Sequence, residues 1–239
     1  MEPSIHPPVP ILYEDNHLLV VEKPVNIPTQ EDESKDLDLM RMLKQYIKEK
    51  YKKPGNVFLG LVHRLDRPVG GVMVFARTSK AASRLSEAIR NREVKKHYLA
   101  VVHGSLPKEQ DRLIHYLIKD SRRNWVTAFT RPQDGAKKAI LDYHVLGQKK
   151  QLSLVHIQLE TGRPHQIRVQ MASSRCPLYG DQKYGSELNR PGQQLALWSV
   201  KMELTHPTLK TPMAFISQPP REFPWNLWEE DLIRRCLVH

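Results

Sequence analysis

One acidic side chain between two arginines stands out in the segment Leu61–Gly71. Asp66 lies between Arg64 and Arg67, and a guanidinium close to a carboxylate favours its ionised form. Pro68 and the glycine pair after it predict a turn, so Asp66 is expected at the mouth of the apolar strand that follows. A rigidly held, ionised carboxylate on a turn suits a nucleophile or a base. The alternative is a structural ion pair that only braces the turn.

A second unusual segment is Thr161–Arg168. Gly162 is expected to break a strand there, and Pro164 suits the first position of a helix that runs to about Ser173. Arg163 comes just before that helix, so its guanidinium and free backbone N–H groups would hold a phosphate or a carboxylate. The alternative is that Arg163 braces the corner between strand and helix.

A basic turn at residues 119–125 carries Arg122, Arg123 and Trp125. Cationic side chains beside an exposed aromatic ring suit a phosphate contact combined with base stacking. The alternative is an ordinary exposed hairpin.

Charge is unevenly distributed along the 239 residues, whose formal net charge is +11. Residues 1–50 carry six Lys and Arg but ten Asp and Glu, so the remainder carries the whole positive excess. A basic body suits a polyanionic partner, most often nucleic acid, although solubility alone is the alternative. No apolar run reaches membrane-spanning length and the N-terminus lacks a signal-peptide pattern, so we expect a cytoplasmic protein. The two cysteines, Cys176 and Cys236, form no zinc pattern with neighbouring histidines.

Several well-known catalytic motifs are missing from the sequence. It has no phosphate-binding loop, no dinucleotide fingerprint, no HExxH helix and no GxSxG elbow. The sequence therefore predicts a site that uses no metal or cofactor and is built from Asp, Arg and Tyr.

The periodicity of apolar residues predicts one compact α+β domain after a flexible, proline-rich lead-in over residues 1–10. An acidic loop at 24–36 is expected to be solvated. Helices are predicted over 38–50, capped by Asp36 or Asp38, and over 80–91, capped by Thr78 or Ser79. Two more are predicted over 164–173 and 225–236. Strands are predicted from residue 11 and over 17–23, 72–76, 97–104, 111–117, 125–130, 138–146, 151–160, 193–204 and 212–217.

Several segments resemble motifs of the RluA-type pseudouridine synthases, in the same order along residues 11–218. The central one is His63-Arg64-Leu65-Asp66-Arg67. The others are Tyr13–Pro24, Lys95–Ala100, Glu160–Arg168 and Gly180–Gly185. Three departures stand out: Pro164 replaces a common Thr, Leu197-Trp198-Ser199 replaces Leu-His-Ala, and an N-terminal RNA-binding domain found in many relatives is expected to be absent.

The resemblance implies an RNA pseudouridine synthase that isomerises uridine in rRNA or tRNA. Its fold would be a single catalytic domain over residues 1–239, with a mixed, largely antiparallel central sheet flanked by helices. Asp66 would be the essential carboxylate, acting either by covalent addition to the sugar or by removal of the ribose 2′ proton. Tyr98 would lie against the base and take a proton, and Arg163 would orient Asp66. Arg64 would fill the gap left by the extruded uridine, while Arg67 would brace the turn.

Further substrate contacts are assigned to His63, Leu65, Leu197, Arg122 and Arg123. The basic surface expected to bind RNA runs from Arg64 to Arg131 and includes Arg84, Arg90, Arg92, Lys95 and Lys96. We expect RNA as the partner, no cofactor, no membrane, no obligate protein partner and a monomer. Two other functions remain open: a non-catalytic RNA chaperone on the same fold, and a hydrolase of nucleosides or glycans, although the latter commonly uses two carboxylates.

Overall fold

A computed structural model describes residues 6–233 of the chain. The elements in chain order are β1 (Ile11–Glu14), β2 (Leu18–Lys23), α1 (Leu39–Lys50), β3 (Gly60–Leu61), β4 (Gly70–Ala76), α2 (Ser79–Arg90), β5 (Lys95–His103), β6 (Gln110–Asp120), β7 (Trp125–Phe129), β8 (Lys137–Lys149), β9 (Leu152–Leu159), α3 (Gln166–Ser173), β10 (Leu197–Thr205) and β11 (Pro212–Ile216). The predicted α+β class, with a largely antiparallel arrangement of strands, is confirmed. The described residues divide into two compact units, the first made of 6–94 and 201–217, the second of 95–200 and 218–233.

The first unit is built around β4, whose seven residues are all buried. β2 pairs antiparallel with both β1 and β4, and β3 lies beside β4. β11 pairs with residues 201–205 of β10. The register places Lys23, at the end of β2, opposite Gly71, near the start of β4. The apolar sequence of β4 is explained by this burial, since a strand covered on both faces needs no polar side.

Both helices of the first unit begin at side-chain caps that the sequence predicts. Asp38 Oδ1 accepts the N–H of Arg41 at 3.0 Å, and Thr78 Oγ1 accepts the N–H of Ala81 at 3.2 Å. Such caps satisfy backbone donors that a helix leaves without an internal partner. Leu85 of α2 then packs into the core of this unit.

The second unit contains an antiparallel sheet in the order β7-β6-β8-β9-β5. Tyr98 of β5 pairs with Ile157 of β9. Helix α3 contributes Val169 to a core cluster with Leu117, Val126 and Ala139. This packing places the N-terminal end of α3 beside the main chain of β8.

Four predictions about the secondary structure needed correction. Helix α3 begins at Gln166 rather than Pro164, and β10 begins at Leu197 rather than residue 193. Part of the expected flexible lead-in is docked, because Val9 is buried and the carbonyl of Pro10 accepts the N–H of Glu22 at 2.9 Å. The helix predicted over 225–236 is a 3-10 turn at Trp225–Leu227 followed by helical residues 230–233, and its remainder lies outside the described residues.

Within residues 6–233, every helix is too short or too polar to cross a membrane.

Candidate active site

Asp66 lies in a tight turn directly before β4. The carbonyl oxygen of Asp66 accepts the N–H of Val69 at 3.0 Å, with Arg67 and Pro68 at the tip of the turn. Gly71 follows with a φ of 110°, in a region where a side chain would be strained. The Asp66 side chain is half-buried. Proline and glycine therefore fix a turn at the position that the sequence predicted.

Lys23 anchors this turn from beneath and is fully buried. Its Nζ donates to the carbonyl oxygens of Pro24 at 2.9 Å, Arg67 at 3.0 Å and Val69 at 2.8 Å. Three acceptors match the three hydrogens of an ammonium group. Burial lowers the pKa of Lys23 from 10.5 to about 7, and the nearby negative charge of Asp66 opposes part of that shift. Lys23 thus fixes the backbone around Asp66, and in its protonated form it places positive charge near the Asp66 carboxylate.

The acidic loop compensates the charge of Arg67. Arg67 Nη1 donates to Ser34 Oγ at 3.1 Å, Nη2 bonds the carboxylate of Asp36, and Asp32 lies 3.9 Å from Nη1. Arg67 Nε also donates to the carbonyl of Asn26 at 3.2 Å. The interpretation of this loop as merely solvated was therefore incomplete, since two of its carboxylates, those of Asp32 and Asp36, are paired with Arg67. These contacts agree with a bracing role for Arg67.

The three residues before Asp66 differ in environment. His63 Nε2 accepts the N–H of Val74 at 3.0 Å, which ties the loop to β4. Leu65 is buried, and its carbonyl accepts the hydroxyl of Thr29 at 2.9 Å. Arg64 is exposed. His63 and Leu65 thus fasten the loop, whereas the Arg64 side chain between them is exposed to solvent.

Tyr98 is buried on β5 in the second unit, with 6% of its surface exposed. Lys96 lies two residues earlier and therefore faces the same side of the strand. A side chain at Gly162 would come within 3.2 Å of Lys96 Nζ, so the segment just before Arg163 crosses this side of β5. The segment just before Arg163 and the Tyr98 strand therefore lie near each other in the second unit.

The turn that carries Arg163 is held by the buried side chain of Gln166. Gln166 Oε1 accepts the N–H of Arg163 at 2.9 Å and the hydroxyl of Thr161 at 2.8 Å. Gln166 Nε2 donates to the carbonyl of Ile140 at 3.0 Å, and Arg163 Nε donates to the carbonyl of Lys138 at 3.1 Å. The backbone position of Arg163 is therefore fixed against β8 through Gln166.

The helix was predicted to begin at Pro164, two residues before α3 begins, and the backbone of His165 explains the difference. His165 has a φ of 51°, the left-handed conformation, and interrupts helical geometry after Pro164. The N–H of Gln166 closes this turn onto the carbonyl of Arg163 at 3.1 Å. One of the backbone groups expected to bind an anion, the N–H of Arg163, is instead used by Gln166.

The loop after α3 supports the same turn from the other side. Tyr184 OH lies 2.7 Å from His165 Nδ1. Arg168 makes a bidentate contact with the buried Asp181, with both N–O distances at 2.8 Å, and its guanidinium lies 5.2 Å from the Tyr184 ring. Burial opposes the ionisation of Asp181, but hydrogen bonding and charge from Arg168 hold the pKa of its carboxyl below its ordinary value.

The remaining predicted contacts occupy separate places. Leu197 is buried at the start of β10, whereas Arg122 and Arg123 are exposed on the turn between β6 and β7. Two members of the expected basic surface were wrong. Lys96 is buried, and Arg84 is half-buried with Nη1 donating to the carbonyl of Pro207 at 2.8 Å. No group of three His, Cys, Asp or Glu side chains within 6–233 is arranged to hold a metal.

A family model described as RNA pseudouridylate synthase matches residues 17–173. The chain belongs to the RNA pseudouridylate synthase family. The matched range includes Asp66, Tyr98 and Arg163. The RluA-type resemblance of the motifs is thereby confirmed.

Curated relatives of this pseudouridylate synthase family member carry matching names. It is 34% identical over 200 residues to an uncharacterized RNA pseudouridine synthase of Bacillus subtilis, covering 82% of this chain and 64% of that protein. It is 35% identical over 211 residues to ribosomal large subunit pseudouridine synthase D of Nitrosomonas europaea, covering 84% and 59%. The chain thus spans less than two thirds of the length of these two relatives.

Two solved human structures share the fold. Human RNA Pseudouridylate Synthase Domain Containing 4 matches with a TM-score of 0.76 and 24% identity, covering 94% of this chain and 93% of that one. Human RNA Pseudouridylate Synthase Domain Containing 1 matches with a TM-score of 0.71 and 23% identity, covering 100% and 98%.

Sequence reasoning missed two positioning residues in this family member, Lys23 and Gln166. A lysine two residues after the apolar run Leu18–Val21 and directly before a proline was one available signal. A glutamine two residues after a proline, at the first turn of a helix, was the other. Neither signal identifies the acceptors that lie far along the chain, which are the carbonyls of Arg67 and Val69 for Lys23 and of Ile140 for Gln166.

Proposed function

We propose that the chain is an RNA pseudouridine synthase that isomerises specific uridines of rRNA or tRNA. Family membership supports the reaction class, and the turn that fixes Asp66 over buried Lys23 is the observation that carries the proposal. The names of the relatives support ribosomal RNA as the first substrate to test. We further propose that both units serve one catalytic domain, which acts in the cytoplasm as a monomer without an obligate protein partner.

The proposed reaction moves the glycosidic bond without net loss of atoms. The bond between ribose C1′ and uracil N1 breaks, C1′ bonds to C5, the proton on C5 leaves, and N1 gains a proton. Asp66 serves by one of two routes: its oxygen adds to C1′, or it removes the 2′ proton. Both routes need a carboxylate oxygen held at a fixed position, and the hydrogen-bonded turn supports that requirement.

Tyr98 and Arg163 have distinct proposed roles. The Tyr98 phenol offers a stacking face for uracil and a weak base for the C5 proton. Water that reached the detached sugar would hydrolyse it, so the reaction needs a site that excludes water. The burial of Tyr98 supports such a site. Arg163 is assigned to orienting Asp66. A double-mutant cycle with a variant that keeps a carboxylate tests that assignment: Asp66→Glu and Arg163→Met should be strongly non-additive in turnover.

Substrate binding is assigned to the remaining predicted residues. A uridine within RNA must leave its stack to react, so a side chain has to stabilise the vacated space. Exposed Arg64 is proposed for that role, and buried Leu197 for contact with the base. Arg122 and Arg123 are proposed to contact phosphates.

Tritium release from RNA labelled at uridine C5 tests the proposal directly. The wild-type chain should release tritium, and Asp66→Asn should abolish release while it changes RNA affinity by less than about threefold, since the removed charge acts in the transition state. Asp134→Asn, which alters an exposed carboxylate in another loop, is the matched control and should retain activity. Turnover by Asp66→Asn at the wild-type rate would remove Asp66 from its role.

Two other functions give different results in the same samples. A non-catalytic RNA chaperone would bind RNA tightly and release no tritium from ribosomal or transfer RNA. A hydrolase would release free uracil, which chromatography detects. The isomerase should yield pseudouridine within the intact strand and no free uracil.

A further inference from the structure

An open groove in the second unit lies outside the residues assigned to catalysis. Its volume is about 600 Å³, and its walls come from β7, the end of α3 and the loop at 177–188. That volume falls in the range of sites for molecules of nucleotide size, about 300–1,000 Å³. Trp125, Tyr184, Arg175, Lys183 and Leu188 are among its lining residues.

The groove presents an aromatic platform to solvent. Trp125 is 41% exposed, and its ring centroid lies 4.8 Å from that of Tyr184 at an interplanar angle of 47°. Leu188, at the rim, is 56% exposed. Large apolar groups gathered at one exposed groove indicate a binding surface. Every nucleobase has a π face, so an exposed indole suits base stacking without a strict sequence requirement.

The charge around this platform favours an anionic occupant. Arg175 is exposed in the groove, and Lys183, whose Nζ donates to the carbonyl of Asn124 at 2.8 Å, also lines it. Glu187 is the one acidic residue among the lining residues, all of which lie in the described part of the chain. Arg122 and Arg123 come just before Trp125 on the neighbouring turn. Cations beside an aromatic face are typical of single-stranded nucleic-acid sites.

The groove also connects to the segment that carries Arg163. Tyr184 OH accepts the N–H of Val126 at 3.0 Å and lies 2.7 Å from His165 Nδ1. The ring of Tyr184 forms a wall of the groove, while its hydroxyl reaches the residue two positions after Arg163. The groove and the Arg163 segment therefore share the Tyr184 side chain.

We infer that this groove binds an unpaired nucleotide of the substrate RNA, with its base stacked on Trp125 and its phosphates at Arg175 and Lys183. The inference rests on the proposed function for the identity of the RNA. A protein segment as occupant would explain the apolar rim but not the surplus of cations, so RNA is favoured.

Binding of short RNAs to groove variants tests the inference. Trp125→Ala should weaken the affinity for a single-stranded oligonucleotide by about tenfold, and Trp125→Phe should restore most of it, because base stacking on one aromatic ring has an effect of that order. Phe223→Ala is the matched control, since Phe223 is an exposed aromatic of the same unit that does not line the groove. Arg175→Ala should lower the slope of log affinity against log salt by about one.

The outcomes separate the groove from the proposed function. Wild-type isomerisation together with unchanged RNA affinity in folded Trp125→Ala would overturn the groove and leave the function standing. If Trp125→Ala loses RNA affinity but the wild type does not isomerise uridine, the groove stands and the proposed function is overturned. Equal losses for single-stranded and fully paired RNA would also overturn base stacking, as would a protein ligand that needs Trp125 while RNA does not. If Trp125→Ala fails to fold, Trp125→Leu, which keeps an apolar side chain without an aromatic ring, replaces it. Wild-type affinity in Trp125→Leu together with a wild-type salt slope in Arg175→Ala would refute the inference.

Discussion

Lys23 Nζ donates a 2.8 Å hydrogen bond to the carbonyl oxygen of Val69, forty-six residues further along the chain. The same ammonium group reaches the carbonyl of Arg67 at 3.0 Å. These bonds flank the turn of Asp66 and join it to the end of β2. The buried lysine therefore links the stability of the fold to the geometry of the proposed catalytic carboxylate.

Lys23→Met should alter the pH dependence of stability. Burial lowers the pKa of Lys23 from 10.5 to about 7, so between these values the unfolded chain holds a proton that the folded chain has released. The contribution of Lys23 to the free energy of unfolding therefore increases as the pH rises from about 7 to 10.5. The advantage of the wild type over the variant should grow by up to about 1.4 kcal/mol per pH unit.

Urea unfolding at pH 7.5 and pH 9 measures this change. Lys44→Met removes an exposed lysine of α1 and is the matched control for net charge. A wild-type advantage over Lys23→Met that stays constant between the two pH values would contradict a buried lysine that releases its proton.

Local signals in the sequence predicted most elements of the fold. The caps of α1 and α2 were identified because Asp38 and Thr78 act within three residues of their own position. The predicted start of α3 was wrong because His165 is left-handed, and its side chain contacts Tyr184, nineteen residues later. β3 was missed, since two residues beside β4 have no periodicity of their own.

In the candidate site, too, residues with nearby sequence signals were predicted and residues with distant partners were not. Asp66 was identifiable because its arginines, proline and glycines are neighbours in sequence. Lys23 and Gln166 were not, because a buried polar side chain is explained only by its acceptors, and those lie on other strands and turns. The acidic loop was interpreted as solvated for the same reason, since Arg67 is thirty-one residues from Asp36.

Gln166→Leu should reduce turnover far more than RNA binding. The change removes both acceptor contacts of Oε1 and leaves the N–H of Arg163 without this partner. A displacement of Arg163 by about 1 Å should lower kcat by roughly 100-fold. Single-turnover kinetics with saturating RNA measures the effect, and a binding assay shows whether affinity is retained.

Two further variants control the Gln166 experiment. Gln166→Glu keeps both acceptor contacts but loses the donor to Ile140, so its kcat should lie between the wild type and Gln166→Leu. Gln182→Ala removes an exposed glutamine of the same unit and should leave kcat unchanged. Equal losses of kcat in Gln166→Leu and Gln182→Ala would show that Gln166 does not position Arg163.

Arg168→Met should destabilise the protein by about 3–5 kcal/mol, because it leaves the buried carboxylate of Asp181 without its guanidinium. Arg168→Gln combined with Asp181→Asn removes both charges and should be less harmful than the single change.

Asp181 has a lowered pKa, so its stabilising effect is complete above the ordinary value of 3.8 and is lost as the pH falls through the lowered value. Thermal unfolding at pH 7 and in acid should show the advantage of the wild type over the double variant shrinking at low pH. A double variant less stable than Arg168→Met would refute the account.

Arg122→Ala should weaken RNA binding and reduce its dependence on salt. Arg122 is exposed on the turn between β6 and β7, where a phosphate is able to reach it. A variant with one phosphate contact fewer releases fewer counterions when it binds RNA, so the slope of log affinity against log salt should become shallower by about one.

Arg112→Ala is the matched control on β6. Asp142 lies 2.8 Å from Arg112 and Glu160 lies 3.1 Å from it, so these carboxylates already compensate its charge. Titrations of labelled RNA at several salt concentrations measure both slopes. Equal slopes for Arg122→Ala and the wild type would remove this turn from the RNA-binding surface, because a phosphate contact cannot be lost without a change in counterion release.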